Sequence, residues 1–80
     1  MAQYSERFPA GTVVRILDAG RLVDFAKGWR WHHPLEQGQF EYASREATVI
    51  EVGFYHGGDP LYRLDGVPGL WHEECLGPAA

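Results

Sequence analysis

Residues 47–65 read Ala47-Thr48-Val49-Ile50-Glu51-Val52-Gly53-Phe54-Tyr55, then His56-Gly57-Gly58-Asp59-Pro60, then Leu61-Tyr62-Arg63-Leu64-Asp65. The first run is rich in β-branched and aromatic residues, and strict alternation puts Thr48, Ile50, Val52 and Phe54 on one face. The middle cluster is a turn signal, and residues 61–65 repeat the two-residue period. This is a strand, a turn and a second strand, which makes the chain a β protein.

Working outward, Gly11 opens a further strand over residues 12–17, with Val14 and Ile16 inward and Arg15 outward. Asp18 suits the cap of a short helix over residues 19–27, whose apolar face would hold Leu22, Val23, Phe25 and Ala26, with Gly28 at its end. Gly20 weakens that signal, so an irregular loop stands as the alternative. Residues 29–45 read as a long excursion, with Pro34 holding His33 extended. On the far side, residues 66–69 form a second turn, Leu70-Trp71 a short strand, and residues 73–76 one helical turn. Residues 1–8 and 77–80 are expected to fray around a single domain. Short strands and glycine-rich turns in so brief a chain suit a small, strongly bent barrel, because closure removes exposed sheet edges. Its expected core is Val14, Ile16, Ile50, Val52, Phe54, Leu64 and Leu76.

Composition bounds the rest. Eighty residues make one thin-cored domain, and 45% apolar and 14% aromatic residues are enough to fold it. The first 30 residues hold five cations against three anions, whereas residues 31–80 hold two cations against eight anions. A net charge of -4 with a single lysine lacks the clustered cations that neutralise phosphates, which argues against nucleic acid as a partner. Only the basic first third could serve such binding. Cys75 is the single cysteine, so no internal disulfide staples the chain. No leader-like or membrane-spanning apolar run occurs, and a cytoplasmic location is expected.

The opening Phe8-Pro9-Ala10-Gly11-Thr12-Val13-Val14-Arg15-Ile16 resembles the F-x-x-G-D-x-V-R-V start of the nitrile hydratase β subunit's C-terminal domain. Pro60-Leu61-Tyr62-Arg63-Leu64 and residues 70–78, from Leu70-Trp71 to Leu76-Gly77-Pro78, are similar to that family's P-L-Y-x-V and L-W-x-x-x-L-x-P ending. Trp31-His32-His33-Pro34 resembles a Tyr-His-His-Pro stretch in the ferredoxin–thioredoxin reductase variable chain. Both likenesses imply an SH3-like barrel of the kind found in bacterial proteins, made of about five short strands. The matches cover about two dozen residues and fall largely on scaffold. The hydratase's long helical region and its cysteine-rich metal loop have no counterpart here. What the resemblance implies is an accessory or partner-binding barrel, with no cofactor.

Candidate chemistry is sparse. His72 and Cys75 are three apart and could share an ion across one helical turn. A structural zinc site needs four ligands, and the other histidines (His32, His33, His56) are scattered with no Cys-x-x-Cys anchor. Cys75 is therefore read as a small apolar residue and His72 as a solvated turn residue. A Cys75–His72–Glu74 triad would need neighbours in sequence to converge, which they rarely do. Glu73 and Glu74 read as a solvated acidic edge, and no phosphate-cradling glycine motif occurs.

The notable feature is aromatic. Trp29, Arg30, Trp31, His32, His33 and Tyr42 in the excursion, joined by Tyr55 and Trp71 at the rim, have the make-up of a binding hot spot. One or both tryptophans plugging the barrel's open end is the alternative. The expectation is a non-enzymatic module that binds a protein partner or a second copy of itself, its acidic rim (Glu41, Glu73, Glu74) selecting by charge. The competing reading is an enzyme or metal site related to nitrile hydratase β, assembled at an oligomer interface.

Overall fold

A computed structural model describes residues 6–29, 34–55 and 58–79. The β-rich segments become β1 (Val13–Ile16), β2 (Glu46–Tyr55), β3 (Asp59–Leu64), β4 (Val67–His72) and β5 (Leu76–Pro78), paired antiparallel in the order β4-β3-β2-β1-β5. One α-helix, α1 (Ala19–Gly28), and a 3-10 helix at Gln37–Tyr42 lie between β1 and β2. A single 3-10 turn, Glu73–Cys75, joins β4 to β5. The chain is mostly β, as its alternation requires.

That last connection sets the shape. In a flat sheet, β4 and β5 would stand four strand spacings apart, about 19 Å at about 4.8 Å each. One 3-10 turn from His72 to Leu76 covers only about 8 Å at about 2 Å per residue. The sheet must therefore curl strongly, bringing the end of β4 close to the start of β5. Val14, Ile16, Val49, Tyr62, Leu64, Trp71, Cys75 and Leu76, drawn from every strand and from the connecting turn, accordingly form one buried cluster.

Strict alternation misplaces the core face of β2. Val49 pairs with Leu64 and Glu51 with Arg63, leaving Ile50 as an extra residue, a β-bulge. Before the bulge Ala47 and Val49 face inward and after it Val52 does, so Thr48 and Ile50 turn away from the core. Val49 is 1% exposed while Ile50, expected in the core, is 51% exposed. Phe54, also expected there, is half-buried, and Val52 packs against the cluster from its margin. Val14, Ile16, Leu64 and Leu76 are buried as anticipated.

Other differences have equally local causes. The second turn is tighter than residues 66–69: the chain reverses at Asp65-Gly66, and Val67, Pro68 and Gly69 already belong to β4. Gly77 and Pro78, expected to fray, pair with Arg15 and Val14. Phe8 likewise leaves the frayed segment, meeting Tyr62 edge-on at 5.8 Å, and is buried. The helix forms despite Gly20 because the Asp18 carboxylate accepts from the Arg21 N–H at 2.9 Å, and Leu22 is fully buried beneath it. Val23, assigned to the apolar face, is exposed. Among the described residues no helix is long and apolar enough to cross a membrane.

Candidate functional site

Alternation across β2, β3 and β4 defines two rows. The inner row, Val52–Tyr62–Trp71, faces the core. Trp71, placed at the rim by its sequence context, is fully buried in it, with its indole N–H donating to the Pro68 carbonyl at 3.2 Å. It is no part of a contact surface. The reason is parity: Trp71 pairs with Tyr62, so it shares that residue's inward face.

The outer row is Gly53–Leu61–His72. Aromatic rings close both ends of it. At one end Tyr55 folds over Gly53, where a Cβ would meet the Tyr55 Cε1 at 2.7 Å, so only glycine admits the ring there. At the other end His72 meets Trp29 at 4.5 Å and Phe25 at 5.0 Å between ring centroids, and Phe25 stacks on Trp29 at 5.2 Å. Leu61, between them, is 1% exposed. Two of the expected contact residues, Trp29 and Tyr55, thus serve a single cross-strand row and remain half-buried. Phe25, Leu61 and His72 belong to it as well. A glycine inside a strand was the one sequence signal for this close approach.

Tyr42 stands apart, half-buried at the end of the 3-10 helix with the Arg45 guanidinium 5.1 Å from its ring. Arg30, Trp31, His32 and His33 lie outside the described residues, as do His56 and Gly57 of the first turn.

The metal and nucleophile candidates have other tasks. His72, read as solvated, is 2% exposed and clasped by the rings of Phe25 and Trp29. Cys75 is fully buried. Burial, with the Glu74 carboxylate nearby, pushes its thiol up to about 12, so the free thiol stays protonated near neutral pH. Among the described residues no three His, Cys, Asp or Glu side chains converge on a common point. Nor are the paired glutamates a uniform acidic edge. Glu74 is exposed, but Glu73 Oε2 accepts from the Tyr62 hydroxyl at 2.5 Å and from the Arg7 N–H at 3.0 Å. The same hydroxyl accepts from the N–H groups of Arg7 and Phe8 at 3.1 and 3.4 Å, tying the N-terminal segment to β3. Burial and the Glu73 hydrogen bond push the Tyr62 phenol up to about 12.

What the outer row can do chemically is bury flat aromatic surface beside polar backbone. Compared with known protein families, characterised proteins and solved structures, the chain matches none.

Proposed function

We propose that this chain is a non-enzymatic interaction or accessory-subunit module that holds a protein partner on the aromatic surface around Trp29 and Tyr55. One observation carries the reading: the Trp29 ring is stacked on Phe25 and tilted against His72 while remaining partly exposed to solvent. A ring already held in place loses little conformational freedom when a partner covers it, and large flat rings supply most of the area at binding hot spots.

The test compares proteins captured from lysate by wild type, Trp29→Ala, Tyr55→Ala and, as a distant control, Ile50→Ala, with folding verified by circular dichroism. One partner retained by the control and lost by folded Trp29→Ala is the expected result. Equal recovery by all four proteins would refute the site.

A further inference from the structure

The outer edge of β4 is occupied by a side chain imitating a strand. Tyr62 pairs with Trp71 and Leu64 with Val67, so Pro68, Gly69 and Leu70 all stand opposite Arg63. This bulge breaks the β3–β4 ladder, and the Leu70 carbonyl is bonded on the other side, accepting from Gln39 Nε2 at 2.9 Å. Gln39 Oε1 in turn accepts from the Glu36 N–H at 2.8 Å. One amide therefore donates to β4 and accepts from extended backbone at Glu36 (φ -93, ψ 157), as a peptide unit of an intervening strand would. Gly69, at φ +87, makes room for it, since a Cβ there would meet Gln39 Nε2 at 2.8 Å. Around this amide opens a groove of about 480 Å³ lined by Pro34, Glu36, Gln39, Arg63, Gly69 and Leu70. That volume falls within the range of about 300–1,000 Å³ usual for ligand clefts.

The geometry points to a second docking site, in which an extended peptide of a partner protein enters this groove, displaces the Gln39 amide and adds to the β4 edge through its own main chain. The occupant must present an N–H to the Leu70 carbonyl and a C=O to the Glu36 N–H. Strand addition takes its affinity from such main-chain bonds and its selectivity from flanking side chains. Arg63, whose guanidinium is shared with the exposed Glu51 carboxylate at 3.2 Å, favours an acidic residue in the peptide. The groove shares no residue with the Trp29–Tyr55 row, so the two sites fail or stand separately.

The probe is a capped pentapeptide, threonine–valine–glutamate–valine–threonine, titrated to about 5 mM against the ¹⁵N-labelled chain, since millimolar dissociation constants are the scale of so small a contact. The amide signals of Glu36, Gly69 and Leu70 should move together and saturate. N-methylation of the peptide at alternate amides should weaken binding about threefold to tenfold, the worth of one net hydrogen bond. Gln39→Met, which removes the competing amide, should bind the unmodified peptide more tightly. Arg63→Glu should weaken that peptide and restore binding when its glutamate is replaced by lysine. The proposal is overturned by unmoved signals at those three amides, by equal binding of the N-methylated peptide, or by weaker binding to folded Gln39→Met. Should Gln39→Met not fold, the N-methylation comparison on wild type decides alone.

Discussion

Tyr62→Phe isolates the polar knot that fastens the N-terminal segment. The substitution keeps the ring, and with it the edge-on contact to Phe8, and removes only a hydroxyl that donates to Glu73 and accepts from Arg7 and Phe8. Losing a hydrogen bond to a charged group costs about 1.5–3 kcal/mol, and a buried N–H left without a partner costs about 1–3 kcal/mol. Arg7 keeps its second acceptor on Glu73, so only the Phe8 N–H is orphaned, and its 3.4 Å bond is the weakest of the set. The net loss is therefore about 2–4 kcal/mol, of which the larger part belongs to the Glu73 bond. For a domain of this size, about 3 kcal/mol lowers Tm by about 12–24 °C. Urea unfolding followed by tryptophan fluorescence measures it. A double-mutant cycle with Glu73→Gln should return a coupling of at least about 1 kcal/mol. A loss below about 0.5 kcal/mol, the size of an ordinary surface substitution, together with no coupling, would refute the reasoning.

The same knot predicts an alkaline limit. Because the Tyr62 phenol is raised in the folded state to about 12, its contribution is fully present below pH 10 and is lost as pH rises through 12. Cys75, raised from 9.0 to about 12, adds to the loss from pH 9 upward, so urea midpoints should fall steeply above pH 9 and less steeply in Tyr62→Phe/Cys75→Ala. At pH 8 the native thiol should resist a chromogenic disulfide reagent that titrates it at once in denaturant, and rapid native labelling would contradict its burial. Gly69→Ala combines positive-φ strain with expulsion of the Gln39 amide and should cost about 2–4 kcal/mol, read from the urea midpoint. Gly38→Ala, in open space at ordinary φ, should be neutral or stabilise by up to about 1 kcal/mol.

Four of the five strands, their order along the chain and the helix cap were legible in the sequence, since each depends on residues a few positions apart, whereas β5 falls where fraying was expected and is held only by its pairing with the distant β1. Asp18 and Gly28 mark α1 almost to the residue, and the single late turn announces itself between Trp71 and Leu76. The facing of β2 was not legible. Thr48, Ile50, Val52 and Phe54 alternate without a flaw, and nothing local shows that Ile50 will be squeezed out when Val49 takes Leu64 as its partner. Trp71 and His72 illustrate the same limit. Both are aromatic, adjacent and next to a turn, and which of them faces inward is decided by pairing with Tyr62 and Leu61 on another strand. The 3-10 helix at Gln37–Tyr42 had a local signal in the capping box between Glu36 and Gln39, and Leu70, thirty-one positions away from Gln39, adds the hold that no local pattern shows. For the candidate site, Trp29 and Tyr55 were found by residue type, while Phe25, Leu61 and His72 could be recruited only by register.

The pairing of Ile16 with Leu76 spans sixty positions, against the two residues that separate β3 from β4. Bringing such remote partners together costs about (3/2)RT ln n of chain entropy, about 3.6 kcal/mol here, against about 0.6 kcal/mol for the two-residue hairpin. During synthesis the middle strands can associate while residues 76–78 are still inside the ribosome, but β1 waits exposed along one side until β5 emerges. Anything that delays Leu76–Pro78, such as a bulky fusion placed directly after them, prolongs that wait and invites sticking between neighbouring nascent chains.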